Sequence, residues 1–333
     1  MQLSHKVRSR GRTTLRSGKA LVIILSTALV LAVGYRFINR SKVFEVSRTF
    51  PTLGTFATVI ITVESESSQI LLDKADSLLS YLDNHLGRFS EYGQLYDLNS
   101  FFQIQSDTEL AELIRMSHIL VAVTGGSFDP SLGALSIVWG FPEPVEVPDS
   151  SSINHALACS GWDERVYIGE DSIFIEQNTV MDFGAIAKGY AVDRTYELLI
   201  ELGATECLVE VGGEIRCGSS TGRIWHIGVR HPREDTLVGI LELTAGAVAT
   251  SGDYECYFFE NGIRYSHLLD SETGYPSGNA ASATVVANDC ATADAMATAA
   301  AVAGPVRAGM FPEENYIGML IITADENDNC ESF

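Results

Sequence analysis

The sequence predicts an α+β fold of antiparallel sheets with packed helices. Strand-like and helix-like periodicities alternate through the body, and the second half carries antiparallel hairpin signals. The 46% hydrophobic content of 333 residues also supplies a substantial core.

The elements follow in order. Thr52 to Val63 (TLGTFATVIITV), opened by Leu53-Gly54-Thr55, has the β-branched enrichment of a strand. Ser67 to Leu86 spaces Ile70, Leu71, Ala75, Leu78, Leu79, Leu82 and Leu86 as a helical core stripe. Gly87 to Asn99 reads as a polar, aromatic-bearing loop, and Asp107 to Thr124 as a second helix on which His118 packs. Gly125 to Phe141 breaks helical pattern with glycines and a proline, and GFPEPVEVPDSSS marks a loop or lobe boundary. Short strands at Arg165 to Ile168 and Ser172 to Glu176 precede Met181 to Asp193 (MDFGAIAKGYAVD), whose helix runs through Leu202 and stops at Gly203. CLVEVGGEIRCG gives two strands about Gly212-Gly213, and RIWHIGVRHP and Val238 to Leu243 follow. Asn261-Gly262 is a two-residue hairpin signal. SATVVAND reads as a strand, ATADAMATAAAVAG as an Ala-rich helix, YIGMLIIT as the last strand and DENDNCESF as a frayed tail.

Charge and cysteine narrow the function classes. The net charge is -21, yet nine of the 22 basic residues and no acid lie in residues 1–42, leaving thirteen basic residues against 43 acidic ones. Such a body repels nucleic acid and anionic surfaces. The basic start (1–19) runs into an apolar segment, Ala20 to Tyr35, so we expect a signal-anchor helix over 20–35. Ala32 and Gly34 leave cleavage as a signal peptide open. The expected organisation continues with a linker (36–48), one large folded domain (49–325) and a tail (326–333). From the charge asymmetry we expect the N-terminus in the cytoplasm and the body on the other side of the membrane. The six cysteines lack zinc-site spacing. A hairpin at Gly212-Gly213 would bring Cys207 and Cys217 near each other, as a bridge or as two buried thiols.

Met181 to Asp193 joins Asp182 to a Gly/Ala turn and to a helix with Lys188 in its first turn. A carboxylate, free backbone N–H groups and a cation then lie together, a junction suited to a phosphate-bearing ligand. Asp294 and Thr298 stand four apart on the Ala-rich helix, offering a carboxylate and a hydroxyl from one face to a hard cation.

Taken in order, MDFGAIAKGYAVD, LVEVGGEIR, ATSGDYECYF, YSHLLDSETGYP and TADAMAT resemble the ApbE family of flavin transferases, over roughly residues 49–323. The resemblance implies two lobes related to the T-fold with the flavin between them, FAD as substrate and Mg²⁺ as metal. Asp182 and Lys188 then resemble flavin-nucleotide contacts, as do Leu53, Phe89, Leu268 and the loop Ser127, Phe128 and Asp129. The Ala185 carbonyl, Asp294 and Thr298 resemble the metal ligands, with Ala297 beside them. His267 resembles the histidine at the reaction centre, and Asp270 is a second candidate base. The chain departs from the family pattern at Leu53 (usually Met), Ala185 (usually Gly) and Ser271 (usually Pro). The implied reaction moves FMN from FAD to a Thr or Ser of a partner flavoprotein, such as a membrane redox-complex subunit, and releases AMP. Hydrolysis of FAD to FMN and AMP, or flavin binding without turnover, are the alternatives.

Overall fold

The computed structural model describes residues 44–63, 68–106, 108–144, 146–325 and 328–333. The basic segment and the expected signal-anchor lie outside the described residues. No helix among the described residues is long and apolar enough to cross a membrane.

An eight-stranded antiparallel sheet forms the centre. Its order is β1 (Phe44–Thr52), β2 (Thr55–Val63), β6 (Glu206–Val211), β7 (Glu214–Ser219), β10 (Ala245–Gly252), β13 (Ser282–Ala287), β14 (Gly318–Ala324) and β15 (Cys330–Ser332). One face carries Val59, Ile61, Cys207, Val209, Ala249 and Val285, fully buried under helices. These helices are α1 (Ser68–Leu86), α7 (Ala187–Glu201) and α8 (Cys290–Ala308). The hairpin of β8 (Trp225–Arg230) and β9 (Leu237–Leu243) covers the other face, where Trp225 and Ile227 meet Cys217 and Val248.

Before the helix α7, the chain adds α2 (Gln94–Phe101), β3 (Gln103–Gln105), α3 (Glu109–Thr124), α4 (Gly133–Val138), α5 (Ser150–Ala158), α6 (Trp162–Arg165), β4 (Val166–Ile168) and β5 (Ser172–Ile175). Strands β3, β5 and β4 form a small sheet. A second core gathers Leu135, Trp139, Phe141, Ile153 and Leu269, and the hairpin β11 (Tyr257–Glu260) and β12 (Ile263–Ser266) packs on it through Phe258 and Tyr265.

The expected hairpin turn is present, with Asn261 and Gly262 both at positive φ, 52° and 82°. Several segments differ from the expectation, among them the stretch read as breaking helical pattern, which holds α4, and the loop or lobe boundary, whose end opens α5. Leu53 and Gly54, at φ 48° and 72°, form a turn between two strands instead of opening one. The strand before them, β1, is an edge strand whose inward positions are Phe44, Val46, Arg48, Phe50 and Thr52, so its apolar alternation is interrupted by an arginine and a threonine. Part of the expected loop after Gly87 is α2, with Leu95 and Leu98 buried. The expected frayed tail is β15, and the Phe333 N–H donates to the Ile321 carbonyl at 2.8 Å.

Cys207 and Cys217 are both free. Leu208, not Cys207, stands opposite Cys217, so the two thiols point to opposite faces of the sheet and join different cores.

The closest helix contact is α7 on α8. Gly189 lies where a Cβ would come within 2.4 Å of the Cys290 carbonyl oxygen and 2.8 Å of the Asp294 Cβ. Its N–H donates to Asp294 Oδ2 at 3.0 Å. At the next turn, Asp193 of α7 accepts from the Cys290 N–H (2.9 Å) and the Ala291 N–H (2.8 Å), satisfying the first turn of α8. We expect Gly189→Ala to destabilise the fold by about 1–3 kcal/mol, because the obstacle is backbone and cannot rotate away. Chemical denaturation checks this, and an unchanged midpoint would contradict the contact.

Candidate active site

A cavity of about 800 Å³ opens beside the α7–α8 contact and the second core. That volume lies at the upper end of the range for ligand pockets and suits a dinucleotide. Most of the residues picked out from the sequence line it: Leu53 from the β1–β2 turn, Phe89 from the loop after α1, and Ser127, Phe128 and Asp129 from the loop after α3. Asp182, Ala185 and Lys188 enter from the start of α7, His267 and Leu268 from beyond β12, and Asp294 and Thr298 from α8. Ala297 is fully buried and Asp270 stands outside the lining. Asp270 Oδ1 is committed to its own turn, accepting from the N–H groups of Glu272 (2.7 Å) and Thr273 (3.1 Å).

The floor is charged. Strand β7 turns Glu214 and Arg216 toward the helices, and each meets a partner on α7. Lys188 Nζ donates to Glu214 Oε1, and Arg216 pairs with Asp193 at 2.7 Å. Glu214 is 2% exposed, and its Oε2 has no hydrogen-bond partner among the described residues. Burial, then the nearby Asp294, pushes the Glu214 carboxyl above its ordinary range, against the pull of Lys188. Burial likewise raises Asp294, opposed by Lys188 and by the Gly189 N–H. Burial works against the charge on Lys188, but Glu214 and Asp294 outweigh it and hold the ammonium protonated. Glu255 lines the same cavity. The floor thus gathers more carboxylate than cation.

Among the described residues, no three His, Cys, Asp or Glu side chains group as a metal-binding cluster. The available donors are of another kind. They are the Asp294 carboxylate, the Thr298 hydroxyl, which lies 2.9 Å from Ser251 Oγ, and the backbone at Ala185. An all-oxygen set beside clustered carboxyl groups, one of whose oxygens has no partner among the described residues, fits a small hard cation.

At the other wall, Asp182 is held from two sides. Its Oδ2 accepts from Arg88 at 2.6 Å and its Oδ1 from the Gly184 N–H at 3.0 Å. The segment leading to it is anchored by Asn99, whose amide exchanges two hydrogen bonds with the Met181 backbone (2.8 and 3.0 Å). Arg88 also stands 4.9 Å from the ring of Phe89, which is 72% exposed at the rim. The Asp129 carboxylate faces the protein, accepting from the N–H groups of Ser131 (2.8 Å) and Trp162 (3.2 Å).

His267 is half-buried, and its backbone N–H donates to the Cys256 carbonyl at 3.0 Å. Its Nδ1 lies 3.3 Å from the same oxygen, which assigns the proton to Nδ1 and leaves Nε2 as an acceptor. Burial lowers its proton affinity below the ordinary histidine value, so the ring is neutral at neutral pH.

Sequence reasoning missed Arg88, Glu214 and Glu255. Glu214 left a signal, for the alternation of LVEVGGEIR across the turn sets Glu214 opposite Val211 and Arg216 opposite Val209, on the apolar face. Arg88 left none, since only the fold brings it to Asp182.

Fold and site together define an enzyme that binds a phosphate-bearing nucleotide. The ApbE family pattern matches residues 53–321, and the chain belongs to that family. The FAD:protein FMN transferase of Vibrio cholerae is 33% identical over 275 residues, covering 80% of each chain. The protein of that name from Haemophilus influenzae is 32% identical over 283 residues, covering 79% of this chain and 78% of its own. Among solved structures, the ApbE protein of Thermotoga maritima superposes with a TM-score of 0.77 at 32% identity, covering 86% of this chain and 96% of its own. The apo flavinyl transferase ApbE of Pseudomonas stutzeri gives 0.78 at 29% identity, covering 87% and 94%.

Asp294→Asn keeps an acceptor for the Gly189 N–H and removes one clustered charge. Because a carboxyl with a raised pKa opposes folding when ionised, we expect the metal-free variant at pH 7 to melt at or above the wild-type temperature. A clear drop in a thermal scan would show that the charge itself stabilises the fold.

Proposed function

We propose that this chain transfers the FMN half of FAD to a Thr or Ser hydroxyl of a partner flavoprotein and releases AMP. The observation that carries the reading is the floor of the cavity, where Lys188, Glu214 and Asp294 converge beside a neutral His267 in a space of dinucleotide size.

Lys188 is a fixed cation for the pyrophosphate, held in place by Glu214. Asp182 and the loop Ser127 to Asp129 line the walls that orient the nucleotide, with Phe89 and Leu53 at its edge. The acceptor hydroxyl attacks the FMN phosphorus. The new oxygen–phosphorus bond forms as the bond to the AMP phosphate breaks, and the hydroxyl proton passes to Nε2 of His267. We assign the base role to His267, which lines the cavity, over Asp270, which stands outside the lining and has its Oδ1 tied into its turn. Asp294, Thr298 and the Ala185 carbonyl would hold Mg²⁺, with Ala297 as packing beside them. A bound Mg²⁺ supplies charge neutralisation at the pyrophosphate.

The test incubates the chain with FAD, Mg²⁺ and the FMN-binding domain of a redox-complex subunit carrying an acceptor Thr, followed by mass measurement. We expect the acceptor to gain FMN, and free FMN with AMP and an unmodified acceptor would count instead for hydrolysis. Since His267 accepts a proton only when neutral and its proton affinity is lowered, transfer should persist to pH values below 6.5 and fall as pH drops further. His267→Gln should lose transfer at every pH, and retained activity would end that assignment.

For location, we propose that residues 20–35 tether the chain to the bacterial inner membrane with the catalytic body outside the cytoplasm. An N-terminal peptide beginning at Met1 in purified membrane fractions supports the tether. One beginning near residue 33 or 35 counts against it.

A further inference from the structure

We propose that the outer face of the β11–β12 hairpin, made by Tyr257, Phe259 and Arg264, docks an extended segment of the acceptor protein. The segment lies so that its hydroxyl residue reaches His267. This rests on the FMN-transfer reading and adds where the second substrate binds.

The hairpin has two unlike faces. On the inner one, Tyr265 stacks on Trp139 with centroids 5.6 Å apart and Phe258 stacks on Tyr265 at 5.3 Å, which fixes the hairpin to the second core. On the outer one, Tyr257 and Phe259 meet edge to face at 5.6 Å and are 41% and 58% exposed. The Arg264 guanidinium lies over both rings, 4.4 and 5.1 Å from their centroids. Tyrosine and arginine are the residue types that carry most energy in protein interfaces, and rings that hold a guanidinium in place reduce the entropy lost on binding.

Position selects the occupant. Cys256, immediately before β11, lines the cavity, and its carbonyl holds His267. After β12 the chain reaches His267 in one step. Tyr257 thus stands one residue from the cavity lining at Cys256, about 3.3 Å along the strand, so the aromatic face begins at the cavity's edge. Among the described residues the two strands pair in a sheet only with each other, leaving edges that no other strand occupies, the kind of edge an extended segment can add to. A membrane or a second copy has no comparable reason to sit against the reaction centre.

The test uses the full chain, FAD, Mg²⁺ and the same FMN-binding domain with its acceptor Thr. For the Tyr257→Ala/Phe259→Ala double variant and for Arg264→Glu, we expect KM for the acceptor to rise about tenfold or more. Because none of the three lines the cavity, kcat at saturating acceptor and Kd for FAD should stay within about twofold of wild type. An unchanged acceptor KM overturns the proposal while leaving FMN transfer standing. Parallel loss of FAD affinity also overturns it, as does a wild-type dimer, or binding to phosphatidylglycerol vesicles, that the double variant abolishes. Absence of transfer by the wild-type chain fails the underlying reading and the proposal together.

Discussion

The approach of α7 to α8 at Gly189 is the constraint on which the site depends. Glycine inside a helix costs about 0.5–1 kcal/mol relative to alanine, and here its missing Cβ lets the Cys290 carbonyl and Asp294 come within contact. Lys188 precedes it by one residue, and the first turn of α8 is closed by Asp193 one helical turn on. The same contact thus fixes the distance between the cation of one helix and the oxygen donors of the other. It also fixes the register of Asp294 and Thr298 toward the cavity.

Charge on the buried face of the sheet follows from this packing. Strand β7 places Glu214 and Arg216 where its neighbours place Val211 and Val209, and each is paired with a residue of α7. Burying charge is tolerated when it is matched. The Arg216–Asp193 pair is matched, with three backbone N–H contacts to the Asp193 carboxylate as well. The Lys188 group is not, because Glu214 and Asp294 share one ammonium and one Glu214 oxygen has no partner. A site left electrostatically incomplete in the free protein is one that gains from a bound cation.

Much of the fold was legible because its signals are local. The stripe of α1, the Ala-rich run of α8, the Gly203 stop and the Asn261-Gly262 turn each follow from side-chain spacing or backbone conformation within a few residues. Elements defined by pairing were not. Edge strand β1 has an apolar face interrupted by Arg48, α2 buries only Leu95 and Leu98, and β15 owes its place to β14. Cys207 and Cys217 show the same limit, since sequence proximity across a turn does not tell which face each thiol takes.

By itself the sequence determined which residue types meet in the site, for Asp182, Lys188, His267, Asp294 and Thr298 sit in ordered motifs whose resemblance names a family. Tertiary structure decided what each of them does. It committed the Asp129 and Asp270 carboxylates to backbone N–H groups. It brought Arg88 from the loop after α1 to hold Asp182, and, among the described residues, it left Nε2 of His267 without a partner while giving Nδ1 to the Cys256 carbonyl. The physical reason is that a side chain's role depends on its protonation state and its open hydrogen-bonding positions. Both are set by burial and by partners far away in sequence.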